Sequence, residues 1–393
     1  MFKIFLITFT CISFSFNLVA QKEDKNFYIT KGKGFEFHFF EDDYLLQMDV
    51  RGQFRAVYLH NGVLVSEDEV RQKTTDFSIN RARIKIGGHI YKPYYKFYFE
   101  QGLVSGKTLD LRIMIEKHSF LKFKIGQWKA RYSRERIISS GKQQGLERSI
   151  INPIFTVDRQ KGVSLYGNIK GSSAVNFNYW ASVFTGTGRG SESNDDNNRM
   201  YLLRLQWNPN GEVLKFTGAD TENHQKFTSS VAIAGVTNTS KYTQFSTSGG
   251  GQLPGFEPGV NGQYKINQLL FETAFKYKGI SWQQELHYKN IDDRVNIEQT
   301  TLVGNYFQVG YFFNNTFPKF PKPLEIFARQ AFYDTDISAS GKNHYEYTLG
   351  CNWFFKGHKN KLTFDYSYLQ TNEINPIYSK GNRFRLQWDV SIF

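Results

Sequence analysis

From Asp43 to the end of the chain, polar and apolar residues alternate. In residues 46–56 the odd positions Gln47, Asp49, Arg51, Gln53 and Arg55 are polar, and the even ones are apolar or small. Arg81, Arg83 and Lys85 alternate with Ala82, Ile84 and Ile86. Leu109, Leu111, Ile113 and Ile115 alternate with Asp110 and Arg112, and Leu121, Phe123 and Ile125 with Lys122 and Lys124. Residues 282–289, 343–354, 361–368 and 384–392 behave likewise. A period of two puts one kind of residue on each face of a strand. No stretch of helical length carries a 3.6-residue period, so the fold is all-β. The segments are about ten residues long, which is what a tilted strand needs to cross a bilayer.

The pattern predicts strands near 44–58, 76–88, 92–101, 107–116, 119–128, 161–169, 174–185, 199–207, 212–219, 264–277, 280–289, 304–314, 324–332, 343–355, 361–371 and 382–393. Short connections alternate with longer ones, notably 59–75, 129–160, 186–198 and 220–263. Short turns at one end and long loops at the other are the rule for transmembrane barrels. Residues 227–236 are strand-like but are placed inside the long loop 220–263, because a seventeenth strand would make the count odd. A soluble sandwich would also alternate. Aromatic residues at segment ends (Tyr44, Tyr58, Trp207, Tyr277, Tyr288, Tyr311) and a charged polar face favour a transmembrane antiparallel β-barrel of about sixteen strands. Sixteen strands enclose an aqueous channel.

Composition narrows this further. The low mean hydropathy of the 393 residues excludes a multi-span helical membrane protein, and 37 Phe with 23 Tyr exclude disorder. Residues 1–20 read as a secretory signal peptide: Lys3, then an uncharged apolar run, then a small-residue site at Ala20. Residues 21–43 become a short periplasmic segment and 44–393 the barrel in the outer membrane of a Gram-negative bacterium. Only 21–43 precede the first strand, which argues against a plug domain. The last strand ends in Phe393, as barrel assembly signals do, although this Phe falls on the polar phase. Its reader would be the barrel assembly machinery.

The charge is uneven. The chain carries 49 Lys and Arg against 36 Asp and Glu. Residues 121–161 hold Lys122, Lys124, Lys129, Arg131, Arg134, Arg136, Lys142, Arg148, Arg159 and Lys161 against Glu135, Glu147 and Asp158, a net +7. A connection as long as 129–160 is usually functional. Fixed cations on a low-dielectric wall enrich anions, and Arg offers a fork of donors that fits carboxylate and phosphate. Arg51, Arg55, Arg81, Arg83, Lys85, Arg112, Lys122, Lys124, Arg204, Arg383 and Arg385 are on the inward phase and form a candidate ladder along the wall. The bland alternative is that these charges only solvate the lumen or bind lipopolysaccharide phosphates at the rim. No His pair has metal-ligand spacing, and no cofactor or nucleic acid is implied. Glu285 and His287 on one strand face read as lumen polarity. Glu192, Asp195 and Asp196 read as a solvated loop tip.

Ile79-Asn80-Arg81-Ala82-Arg83-Ile84, Lys124-Ile125-Gly126-Gln127-Trp128-Lys129, Leu146-Glu147-Arg148 and Asp158-Arg159-Gln160-Lys161-Gly162-Val163 with Gly167 resemble the phosphate-selective porin O and P family. The resemblance implies a sixteen-stranded, trimeric, anion-selective outer-membrane channel. It also implies that the loop after the fifth strand, 129–160, folds inward as a constriction. The family places its constriction on lysines, whereas Arg131, Arg134 and Arg136 dominate here. The leading expectation is passive diffusion of small anions, with phosphate or polyphosphate among the candidates. A general porin and a barrel working through its surface loops, as adhesin or enzyme, stand as alternatives.

Overall fold

The computed structural model describes residues 27–31, 35–60, 75–171, 175–188, 194, 197–246, 249–372 and 380–391. The expected signal peptide, nearly all of the 59–75 connection, the acids Glu192, Asp195 and Asp196, and Phe393 lie outside them. The strands are β1 (Phe27–Lys31), β2 (Phe35–Phe39), β3 (Tyr44–His60), β4 (Thr75–Ile90), β5 (Lys92–Gly102) and β6 (Thr108–Ile115). Then come β7 (Lys122–Lys129), β8 (Arg159–Lys170), β9 (Asn176–Phe184), β10 (Met200–Trp207), β11 (Thr228–Ser240) and β12 (Tyr264–Tyr277). The last are β13 (Ile280–Asp293), β14 (Glu298–Tyr311), β15 (Leu324–Asp334), β16 (Asn343–Lys356), β17 (Asn360–Thr371) and β18 (Lys380–Ser391).

From β3 each strand pairs antiparallel with the next. β18 then pairs back onto β3, from Asn382 opposite His60 to Ser391 opposite Arg51. The sixteen strands β3 to β18 therefore close a barrel with no free edge, which satisfies every ladder inside a bilayer. β2 pairs with the same edge of β3 beyond the end of β18, from Phe35 opposite Met48 to Phe39 opposite Tyr44, and β1 pairs with β2. This hairpin was not legible in the pattern.

The faces are inverted relative to a soluble protein. Leu203, Ile233, Leu269 and Leu349 project outward and are more than half exposed, while Glu272, Glu346 and Asp365 inside are fully buried. That distribution suits lipid outside and a polar interior. No helix among the described residues is long and apolar enough to cross a membrane.

One strand assignment is corrected. Residues 212–219 are irregular, and 228–240, expected inside a loop, form β11 between β10 and β12. The outer loop thus shrinks to 241–263, and the total of sixteen is preserved by exchanging one segment for the other. The inward face of β11 is Thr228, Ser230, Ala232, Ala234, Val236, Asn238 and Ser240, too small to give a strong alternation signal. The stronger apolar residues of 212–219 have another use. Leu214 and Ala219 are buried, and Ala219 packs with Phe312 and Phe354.

Candidate functional site

The connection 130–158 between β7 and β8 carries most of the expected chemistry. It contains two single-turn helices, α1 (Arg134–Ile137) and α2 (Ile151–Phe155). The first turn of a helix leaves backbone N–H groups without internal partners. Here barrel glutamates supply them: Glu272 accepts from Arg134 N at 3.0 Å, and Glu285 accepts from Glu135 N at 2.7 Å and Ser133 Oγ at 2.8 Å. Ser133 itself caps α1 by accepting from Arg136 N at 3.1 Å. Glu346 accepts from Ile150 N at 2.9 Å, and Lys361 donates to the Gln143 carbonyl at 2.6 Å. Ile150, Ile151 and Phe155 join Leu270, Ile291, Leu302 and Tyr306 in one buried apolar cluster. The connection is thus fastened to the inward faces of β12 to β17.

Its other side meets the expected ladder. Arg51 Nη2 donates to Ser140 Oγ at 2.6 Å, and Gly141 makes room, because a Cβ there would collide with the Arg51 guanidinium. Glu147 takes Arg55 at 2.6 Å and both forks of Arg81 at 2.8 and 3.0 Å. Burial alone would raise the Glu147 carboxyl, but Arg81 and Arg55 hold it well below the usual carboxylate range. Burial and the nearby Glu285 carboxylate push Glu135 above that range. The ends are covered too. Gly218, from the irregular connection 208–227, donates its N–H to the Lys142 carbonyl at 2.8 Å. Asp158 N donates to the Phe245 carbonyl of the 241–263 loop at 2.8 Å.

Apart from Lys142 and Lys161, the expected cations fall into three groups. The largest faces carboxylates. Besides the Glu147 pairs, Arg83 lies 2.6 Å from Glu100, Arg136 2.8 Å from Asp158, and Arg159 2.5 Å from Asp110. Lys85 pairs with Asp49 and Arg112 with Asp110. Arg204 grips Glu272 through two bonds of 2.8 Å, and Arg385 grips Asp365 through two of 2.9 Å. A second group binds neutral oxygens: Arg51 as above, Lys129 on the Arg136 carbonyl, Arg134 on the Lys215 carbonyl, Arg148 on the Glu135 and Ile138 carbonyls, and Arg383 on Ser367. Lys142 has an exposed side chain. Lys122, Lys124 and Arg131 form a third group, with no hydrogen bond or carboxylate partner among the described residues. Lys124 Nζ lies 4.4 Å from the Tyr166 ring centre, and the Arg131 guanidinium 5.1 Å from that of Phe216. Burial and the charges of Arg112 and Arg204 push Arg131 down to about 10, so it remains charged at neutral pH.

Several inward residues escaped the sequence reading: Arg329, Lys276, Lys289 and Lys361, with the acids Glu272, Glu325, Glu346 and Asp365. In 324–332 the inward phase is Glu325, Phe327, Arg329 and Ala331. Apolar residues among the inward set blur the phase there. His287 sits 2.9 Å from Glu285, and both are buried beneath α1, so the pair serves packing rather than an open site.

Solvent reaches the two halves of the inner wall unequally. The side chains of Arg81, Arg83, Lys85 and Arg112 are 12–21 % exposed, whereas Arg204, Arg329 and Arg385 are at 0–1 %. The connection 130–158 covers the β10–β18 half and leaves the basic side chains of β4 and β6 in contact with solvent.

Solved barrels of similar fold include the outer-membrane protein OmpT of Vibrio cholerae, with a TM-score of 0.56 at 10 % identity over 93 % of this chain and 100 % of that one. An anion-selective porin from Comamonas acidovorans gives 0.55 at 9 % identity over 88 % of this chain and 100 % of that one. The channel DcaP of Acinetobacter baumannii gives 0.54 at 11 %, covering 90 % and 99 %. No curated protein sequence matches. The family model "Phosphate-selective porin O and P" matches residues 56–390, nearly the whole barrel. The chain therefore belongs to the phosphate-selective porin O and P family and is an outer-membrane porin of a Gram-negative bacterium.

Proposed function

We propose that this porin passes small anions by passive diffusion, with inorganic phosphate and polyphosphate among its solutes, and that the connection 130–158 narrows its lumen. The observation that carries the reading is the arrangement of charge on the open half of the wall. Arg81, Arg83, Lys85 and Arg112 keep solvent contact there, and Lys122, Lys124 and Arg131 form no ion pair among the described residues. The nearby acids are occupied: Asp110 by Arg112 and Arg159, Glu100 by Arg83, and Glu116 by Lys96 and Tyr166. Uncompensated cations in a low-dielectric wall raise the local anion concentration. Several moderate sites bind an ion without trapping it, which a conducting pore requires.

A general porin of weak preference is the second reading. It is favoured by the extent of pairing: many of the cations of residues 121–161 are engaged by Asp110, Asp158 and backbone carbonyls. Planar-bilayer reversal potentials in a salt gradient separate the two. Anion preference that falls on charge removal at Arg131, and less at the Asp158-paired Arg136, supports selective passage. Cation preference sinks it. Phosphate competing with chloride current then reports the solute. A homotrimer fits this reading, as a structure of the Vibrio cholerae OmpT is described as a trimer form. Export through the signal peptide of residues 1–20, insertion by the assembly machinery and lipopolysaccharide contact at the rim complete it.

A further inference from the structure

The three unpaired cations do not stand on a merely polar wall. Lys124 is 5 % exposed, yet its ammonium has neither a hydrogen-bond acceptor nor a carboxylate among the described residues. It lies 4.4 Å from the ring centre of Tyr166 and 5.3 Å from that of Trp128. β8 and β9 pair Tyr166 with Trp180, whose ring is 6.4 Å from Phe216 and edge-on to it. Phe216 is half-buried and comes from the irregular connection 208–227. Arg131, also half-buried, lies 5.1 Å from it. Aromatic residues on neighbouring strands therefore stand between the two unpaired charges.

An ammonium on a side chain this buried, with no protein acceptor among the described residues, is short of polar partners. Ring faces meet it in part, through the attraction of a cation to the ring quadrupole. They cannot meet an inorganic phosphate, because they offer its oxygens no donors and present negative faces. An anion with a flat apolar body uses both features. Its carboxylate takes the ammonium and the guanidinium fork, and its body stacks on or against the rings in offset or edge-on geometry. We propose that the wall formed by Lys124, Arg131, Tyr166, Trp180 and Phe216 is a binding site for aromatic carboxylates on their way through the channel. This rests on the anion-passing reading above and names a second solute class for it.

Benzoate, acetate and inorganic phosphate, each added to the purified porin in planar bilayers carrying potassium chloride current, test the site. Benzoate is expected to interrupt the chloride current at a concentration about tenfold below that needed for acetate, since aromatic contacts of this kind are worth roughly one power of ten in affinity. Phe216→Leu keeps an apolar side chain and removes the ring, and should collapse the benzoate-to-acetate ratio towards one. Lys124→Met should weaken block by both carboxylates. Equal potency of benzoate and acetate with anion preference intact overturns the aromatic site and leaves the porin reading standing. Loss of the tenfold advantage by Lys124→Met alone, with Phe216→Leu unchanged, also overturns it. Cation preference in the same bilayers overturns both readings.

Discussion

At the scale of single residues, Glu147 ties the connection 130–158 to the open wall. It accepts from Arg55, from both forks of Arg81 and, at 3.2 Å, from Asn80. Asn80 reaches it because β4 bulges there: Gln53 pairs with Arg81 and Phe54 with Ile79, leaving Asn80 unpaired and turned inward. Replacing the carboxylate leaves two guanidinium groups short of an anion in a mostly buried place. Glu147→Gln should destabilise the folded barrel by about 1–3 kcal/mol, the range for a lost hydrogen bond to a charged group. Equilibrium unfolding in urea with vesicles present measures this. The same variant should increase anion preference, because Arg55 and Arg81 lose their counter-charge. A change towards cations would show that Glu147 does not mask them. The cations of this site were legible in the sequence and their partners were not. Arg385 meets Asp365 as its cross-strand partner on β17, and Arg204 reaches Glu272 across β11, contacts set by strand register rather than by local sequence. A local count of charge sees the surplus in 121–161 and misses the acids that cancel part of it.

At the scale of elements, alternation reveals a strand when its two faces differ strongly. β10, with Leu203 and Leu205 outward and Arg204 and Gln206 inward, is such a case. β11 is the counter-case. Its inward positions are small, and Ala234 and Val236 belong to the extended buried cluster that also holds Ile150, Ile151 and Phe155. Small inward residues thus leave the two faces of β11 too alike for alternation to show. Residues 212–219 misled for the reverse reason: apolar side chains that close the short-turn end look like a spanning segment. A pair of variants discriminates between the two segments. Ile233 faces lipid and is 56 % exposed, so Ile233→Lys should cost about 2–4 kcal/mol if it lies near the bilayer midplane. Val213 lies outside any strand, and Val213→Lys should change folding by less than about 0.5 kcal/mol. Folding yield into vesicles, read by heat-modifiable gel mobility, checks both. The opposite ranking would restore 212–219 to the barrel.

At the scale of the whole molecule, the division of the interior decides how selectivity responds to salt. One half, from β10 to β18, is filled by the connection 130–158, and its charges are matched and dry. The other half holds charges that are solvated, some of them unmatched. Screening acts on the second set alone. The Debye length falls from about 10 Å at 0.1 M to about 3 Å at 1 M. Charges spread along a wide aqueous wall would lose nearly all influence over that range. Lys124 is 5 % exposed and held against the Tyr166 and Trp128 rings, so part of its field survives. The anion-to-cation permeability ratio should therefore fall as potassium chloride rises from 0.1 to 1 M yet stay above one. In Lys124→Met it should fall to about one at 1 M, since only screened wall charges remain to favour anions. Reversal potentials at matched tenfold gradients measure both curves. A wild-type ratio that reaches one at high salt would mean that the wall charges act from a wide pore and that the connection 130–158 does not bring anions close to them. A ratio independent of salt would place the selecting charge in the dry half, among pairs such as Arg329 and Glu346, where the structure leaves it neutralised.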